Sequence, residues 1–466
     1  VLNLGLVQQV PVRRGALAVL ALAALASCAR ACDGAQRARE EPAAARGPAA
    51  HADAGRAPLR LVLIGDLEGV LEPCGCTTRP LGGVDRLAAA VAAARRGAQE
   101  AIVVAAGDLF TSAAQGARAE PRAQDALQTD ALSAVLARIG VDVLAPGAAD
   151  RARAPEAVAA LARTTRAAML GTGPHPPALD AMAPRAVVRR AVDVGVVTAG
   201  SGAPAEVAAA AAQADALRGR CGRGRHARGL RRRERCGGGP AAASMLSGGA
   251  LLLSGGRRGE QVLTLDVAPA AGRGAWSLVD AAPGPRGAVA RVRDLDRDAA
   301  ADAEVRALLD QLFTRVGALN RQAFGAAEPP APRAGEPSYV GARTCAACHT
   351  AAYLWWQRTP HARAFDTLRA RHRELDLDCI GCHVTGYEQP GGSSVGRLEE
   401  LTGVGCESCH GPGSAHVNNP QQPGRAIRRA VTEATCTACH DREHSDRFEY
   451  TRARGALLTP AHGAAR

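Results

Sequence analysis

Four pentapeptides of one form crowd the last quarter of the chain: Cys345-Ala-Ala-Cys348-His349, Cys379-Ile-Gly-Cys382-His383, Cys406-Glu-Ser-Cys409-His410 and Cys436-Thr-Ala-Cys439-His440. Two thiols one helical turn apart can add across the two vinyl groups of a haem. The imidazole that follows can then reach the iron from one face. A zinc ribbon or a disulfide pair is the bland alternative, but zinc sites repeat Cys-x-x-Cys without needing a histidine directly after each pair. The expectation is therefore four covalently bound haem c groups. Their thioethers come from the eight motif cysteines, and their proximal ligands are His349, His383, His410 and His440.

Each iron has a sixth position, and a second histidine there makes a closed, low-spin electron-transfer centre. The same region offers His361, His372, His416, His444 and His462 for that place. It also holds most of the aromatic residues of a chain with only 3% of them. Tyr339, Tyr353, Trp355, Trp356, Phe365, Tyr387, Phe448 and Tyr450 can pack on porphyrin faces, although any core would use such side chains. With four haems in residues 338–466, the cofactors would form most of that domain's core, giving a small, mostly α, loop-rich multihaem cytochrome domain.

Ahead of it, short apolar runs alternate with helical patterns. Leu59 to Ile64, Ala101 to Ala106 and Val141 to Ala145 read as strands, the first two ending in Gly65-Asp66 and Gly107-Asp108. Val84 to Arg95 and Ala126 to Ile139 read as the helices between them, which predicts an α/β layered domain. Further runs at Val192 to Val197, Ala250 to Leu253 and Gln261 to Val267 are expected to complete its sheets, giving a domain over 58–270. Residues 218–239, dense in Arg and Gly around Cys221, His226 and Cys236, match no ligand spacing and read as irregular. Residues 271–337 are assigned to a connector. It contains an amphipathic helix from Asp298 to Asn320, striped with Val305, Leu308, Leu309, Leu312, Phe313, Val316 and Leu319, then a linker with four prolines at Glu328 to Pro337.

The N-terminal end predicts export. Arg13 and Arg14 precede an apolar run, Gly15 to Ala26, that is short for a membrane span. It ends in Leu25-Ala26-Ser27-Cys28, which resembles the lipobox of bacterial lipoproteins. Residues 1–28 are thus expected to be a signal peptide, Cys28 the lipidated residue and membrane anchor, and 29–57 a flexible tether. An ordinary cleaved signal or an uncleaved anchor would be the alternatives. Haem attachment also takes place outside the cytoplasm, so the expected address is the periplasm or outer cell envelope. All 57 basic residues are Arg and the formal charge is +12. No motif interleaves aromatic and basic residues, so a solvated basic surface is expected and a nucleic-acid partner is not.

Two resemblances follow from these residues. Trp356-Gln-Arg-Thr-Pro-His361-Ala-Arg-Ala-Phe365, Cys379 through Gly386, and Gly403 through His416 together resemble the tetrahaem cytochromes of the hydroxylamine-oxidation electron-acceptor type. The resemblance implies distal ligation by His361 and His416, with His462 a third choice and His444 a fourth. It also implies three closed irons and one open. Residues 58–270 resemble the calcineurin-like metallophosphoesterases of the 5′-nucleotidase branch. Gly65-Asp66-Leu-Glu68-Gly69 stands at their Asp-x-His, Leu81-Gly-Gly-Val-Asp-Arg86 at the following Gly-Gly-x-x-Arg, and Asp108 at the metal-bridging Asp. Glu68 replaces the first His. No Asn-His-Glu occurs near Asp150, and no Gly-His-x-His follows. Asp66, Glu68 and Asp108 make a vestigial divalent-metal site at best, so divalent metal is not expected and phosphoesterase activity is expected to be lost. Cys74-Gly75-Cys76, in the loop after the first strand, could be a soft-metal or redox pair or a structural feature.

Three functions compete. An envelope-anchored electron-transfer protein with redox-protein partners is favoured. A small-molecule oxidoreductase acting on nitrogen oxides or hydroxylamine at an open haem is second. A metallophosphoesterase with a haem tail is third.

Overall fold

The computed structural model describes residues 59–73, 79–111, 122–171, 175–183, 185–189, 193–197, 242–245, 251–269, 276–278, 289–421, 427–441, 444–445 and 447–457. Cys28, the tether, Cys74, Cys76, the segment 218–239 and His462 lie outside the described residues.

The first half builds a sheet by strand–helix alternation. Strand β1 (Leu59–Ile64) is followed by helix α1 (Val84–Arg96), β2 (Glu100–Gly107), α2 (Ala123–Ile139), β3 (Val143–Pro146), α3 (Ala148–Arg153), α4 (Pro155–Thr165) and the two-residue β4 (Ala168–Met169). β1, β2, β3 and β4 run parallel in that order. Side chains alternate across a strand. Val62 and Ile64, with Val103 and Ala105, therefore face one way, into a core with Leu87 and Val91 of α1 and Leu132, Val135 and Leu136 of α2. Leu59 and Leu63, with Ile102 and Val104, face a second cluster on the other side. Burial on both faces explains why these strands read as unbroken apolar runs.

Four further strands are short: β5 (Arg185–Arg189), β6 (Asp193–Val197), β7 (Ala242–Met245) and β8 (Leu251–Ser254). Among the described residues β5 pairs with β6 and β7 with β8, as two antiparallel hairpins that form sheets separate from the main one. For β5 and β6 a near neighbour in sequence costs the least closure entropy. The third of the late apolar runs does join the main sheet, as β9 (Gln261–Pro269), antiparallel to β1.

The stretch expected to be a connector also belongs to this layer. Strands β10 (Trp276–Leu278) and β11 (Val289–Asp294) share the outer edge of β9. Helix α5 (Ala303–Phe324) starts at Asp302 rather than Asp298, because the Asp302 carboxylate caps the amides of Glu304 and Val305 at 3.0 and 3.1 Å. Its stripe of Val305, Leu309, Leu312, Phe313 and Val316 lies buried in the same core as α1 and α2. The layer thus extends past residue 270 because the last sheet edge and the α5 stripe have apolar surface to bury there.

The C-terminal region is a set of short helices joined by turns: α6 (Ala342–Ala346), α7 (Thr350–Trp356), α8 (Ala364–Arg369), α9 (Ile380–His383), α10 (Cys406–His410), α11 (Ser414–Asn418), α12 (Glu433–Thr437) and α13 (Tyr450–Leu457). Its apolar cluster is small, comprising Phe365, Leu368, Leu375, Ile380, Val384 and Val395. Among the described residues no helix is long and apolar enough to cross a membrane.

Candidate functional site

The four pentapeptides each begin or continue a helical turn. In the first and fourth, the amides of His349 and His440 donate to Cys345 O and Cys436 O at 2.9 Å, which closes the turn. Residues three apart in such a turn share a face, so both thiols of a motif can meet one ligand edge. None of the eight motif cysteines is fully buried. Across motifs, the Cys345 side chain lies beside that of Cys406, and the Cys382 side chain beside that of Cys439. Motif one therefore sits beside motif three, and motif two beside motif four.

The histidines are oriented by their second ring nitrogens. His383 Nδ1 bonds Ala364 O at 2.7 Å, His410 Nδ1 bonds Arg428 O at 2.6 Å, and His440 Nδ1 meets Ser445 Oγ at 2.7 Å. A carbonyl can only accept, so in His383 and His410 the proton sits on Nδ1 and the Nε2 lone pair is left for a metal.

Two of the remaining histidines lie opposite proximal ones. The rings of His349 and His416 have centroids 6.3 Å apart with planes at 27°. Those of His361 and His440 are 6.1 Å apart at 55°. An imidazole–metal bond of about 2.0–2.1 Å, with about 1.1 Å more from nitrogen to ring centre, gives roughly 6.3 Å for two rings on one metal atom. The residues present thus fit a haem iron between each pair. Burial, and next the nearby His440, pushes the His361 imidazole down, and burial likewise pushes His440 down. Both are then neutral at neutral pH, the form that ligates iron. His440 also stacks on Phe448, centroids 4.8 Å apart.

The backbone around these pairs is held by buried polar side chains. Glu407, inside the third motif and 2% exposed, accepts from the amides of Val340, Gly341 and Gly413. It thereby ties motif three to the start of motif one and to the turn before His416. Val404 N donates to His361 O at 2.9 Å, and Trp356 Nε1 donates to Val404 O at 2.9 Å. Gly403 has φ 81°, and a Cβ there would lie 2.8 Å from Ala362 O, so only glycine lets the His361 turn come this close. The sequence singles out the 403–416 stretch but not these supporting roles. A glutamate between two motif cysteines gives no sign of whether it is solvated or buried.

The other sequence candidates are placed differently. His444 Nδ1 bonds Asp441 Oδ1 at 2.7 Å in a local turn, and the ring lies near the Cys382 thiol. His372 occupies an exposed turn with φ 56°. Among the described residues no histidine ring lies opposite His383.

Residues 344–411 match the family described as "Cytochrome c554 and c-prime". Over 139 residues the chain is 32% identical to "Cytochrome c-554" of Nitrosomonas europaea, a match covering 23% of this chain and 59% of the relative. The C-terminal region carries a cytochrome c554 domain. Covalently bound haem c comes with that family, which makes this part of the chain a multihaem c-type cytochrome. The chain spans 59% of the length of the relative it matches.

Two solved structures also align with part of the chain. The 5′-nucleotidase precursor of Thermus thermophilus aligns with a TM-score of 0.40 at 18% identity, over 65% of this chain and 67% of that one. The NAD nucleotidase of Haemophilus influenzae aligns with a TM-score of 0.34 at 15% identity, over 52% and 51%.

At the carboxyl ends of β1 and β2, the three carboxylates expected to form a vestigial metal site are otherwise engaged. Asp66 Oδ1 accepts from Asp108 N at 2.8 Å, and Asp108 Oδ1 accepts from the amides of Ala149 and Asp150 at 2.9 and 3.1 Å. Glu68 pairs with Arg257 at 3.0 Å. Among the described residues no group of three His, Cys, Asp or Glu side chains is gathered to hold a metal ion.

Asp150 is fully buried and accepts from the amides of Leu109, Phe110 and Thr111. Burial outweighs these donors and pushes its carboxyl up from 3.8 to about 7. Between those values the folded chain holds a proton that the unfolded chain has lost, so this group's contribution to stability falls as pH rises through the window. The span is worth up to about 4 kcal/mol. Urea melts of the wild type and Asp150→Asn between pH 4 and pH 8 should show that slope only in the wild type. Equal slopes would mean that the three amides hold Asp150 ionised throughout.

Proposed function

We propose that this chain is an envelope-located electron-transfer protein that carries four covalent haems, at least two of them closed by a second histidine. The observation that carries the reading is the pair of facing ring sets, His349 with His416 and His361 with His440, each spaced for one iron. Haem supplies a one-electron iron couple when bound. The motif cysteines would hold it by thioethers, imidazoles oriented through Nδ1 would ligate its iron, and a second imidazole on the same iron would keep small molecules from the metal. The adjacency of motifs one and three, and of two and four, supports passage of electrons between neighbouring haems. Redox proteins of the envelope are the partners this reading requires. Electron paramagnetic resonance of the oxidised protein tests it. Low-spin signals from at least two haems per chain are expected, and an all-high-spin spectrum would remove it.

A second reading has its own observation. His383 has no opposing histidine ring among the described residues, which leaves room for an open iron on motif two and for nitrogen-oxide or hydroxylamine chemistry there. Turnover of hydroxylamine or nitric oxide, with perturbation of a single high-spin signal, would favour it over the wire. A phosphoesterase role has no such support, since Asp66, Glu68 and Asp108 are spent on amides and on Arg257.

Lipid anchoring through Cys28 belongs to the same proposal, supported by the Leu25-Ala26-Ser27-Cys28 pattern. Cys28→Ala is expected to move the protein from the membrane pellet to the soluble periplasmic fraction. A variant that still pellets would point to the apolar run, or to a partner, as the anchor.

A further inference from the structure

The layer domain and the cytochrome domain meet along a seam of buried charge, and that seam ends at the second haem motif. Glu72, whose side chain is 4% exposed, pairs with Arg306 of α5 from its own domain. It also pairs with Arg371 at 3.2 Å and Arg373 at 3.6 Å from the other. Arg373 continues the network to Asp376 at 2.7 Å, a carboxylate only 1% exposed, and its guanidinium lies over the Phe313 ring, 4.4 Å from the centroid. Arg306 further contacts Asp85 and Asp310, which completes the charged set.

Neutral side chains bolt the same stretch down. Gln124, fully buried in α2, donates to Asp376 at 3.0 Å and Asp378 at 3.1 Å and accepts from Leu377 N at 3.1 Å. Asn320 of α5 donates to Gln124 and to Leu375 O, both at 2.8 Å. Asp376 O in turn accepts from Cys379 N at 3.0 Å and Ile380 N at 2.9 Å, so the turn that starts the motif hangs from a residue clamped by the layer domain. The Arg373 charge is close to the motif itself. Burial would push its guanidinium down, but the Asp376 and Glu72 carboxylates hold it above its ordinary value.

Charges fixed in a buried seam act across a low dielectric and are poorly screened by salt. A ferric haem carries one more positive charge than a ferrous one. A buried cation beside it therefore favours the reduced state and a buried anion the oxidised state. We infer that the layer domain, through the seam of Glu72, Arg373 and Asp376, sets the reduction potential of the haem carried on Cys379 and Cys382. The inference rests on the haem reading above and adds a role for the layer domain, which then serves as a charged wall for one haem of the wire.

The test is a spectroelectrochemical titration of the full-length haem-loaded protein, wild type against Arg373→Gln and Glu72→Gln. One component of the titration is expected to move down in Arg373→Gln and up in Glu72→Gln, with the others unmoved. Arg373→Lys, which keeps the charge, should titrate close to the wild type. Shifts of the same sign in both Gln variants would mean that opening the seam to water explains the effect, and would overturn the inference. So would unchanged potentials. Should the seam variants not fold, Asp378→Asn at the solvent-exposed rim, beside Cys379 and paired with Arg122 at 3.0 Å, carries the test, with an upward shift expected. No shift there would overturn the inference equally. Haem mapping by mass spectrometry separates this outcome from failure of the haem reading, in which wild-type Cys379 and Cys382 would carry no haem at all.

Discussion

Cys409→Ala protein, matured in a host that attaches haem c, should carry at most three doubly linked haems per chain and should lose much of its cytochrome domain. Cys409 is one of the two thioether donors of motif three, and that motif is a junction. Glu407 beside it holds Val340, Gly341 and Gly413, and Cys406 touches Cys345 of motif one. The domain's apolar cluster is six buried residues, too few to fold over a hundred residues unaided, so a lost haem removes core as well as cofactor. Haem-stained denaturing gels, mass spectrometry and thermal unfolding followed in the Soret band measure both effects. A variant that still carries four doubly linked haems with an unchanged melt would deny motif three its haem.

His361→Ala should convert one haem in four from low to high spin, namely the one on Cys436 and Cys439, because His361 faces His440. The potential of that haem should rise, since a second imidazole favours the ferric state and its loss removes that preference. The chain positions His361 through backbone bonds to Val404 and a glycine at 403, so the change to Ala leaves the turn in place and the fold intact. Exogenous imidazole should restore the low-spin spectrum. Spectra identical to the wild type would mean that another histidine, His372 or His444, closes that iron in solution.

These two variants probe parts of the molecule that were legible to different degrees in the sequence. The motif cysteines and proximal histidines carry their chemistry in their spacing, and the parallel strands announce themselves as apolar runs because both sheet faces are covered. The partners of His361 and His416 were not legible from spacing. Those ligands reach motifs that precede or follow them by dozens of residues, and only the fold decides which ring meets which. The pairing of the layer's last elements was not legible for a related reason. The stripe of α5 shows that the helix packs but not on what, and β10 and β11 gain their meaning from the free edge of β9. The seam was invisible altogether. Gln124 lies 196 residues from Asn320 and 252 from Asp376, and a lone Gln, Asn or Asp in a sequence gives no hint of burial. The carboxylates after β1 and β2 were legible as a degenerate metal site, but their capture by amides and by Arg257 depends on loops that carry no such signature.

The electron-transfer reading depends on haem at all four motifs, and intact-mass spectrometry of the mature holoprotein tests that most directly. The expected mass is that of the mature polypeptide, with its lipid at Cys28, plus four haems, with each Cys-x-x-Cys-His peptide modified after proteolysis. Three or fewer haems on fully matured protein, or zinc or disulfides in place of haem at any of the four motifs, would contradict it.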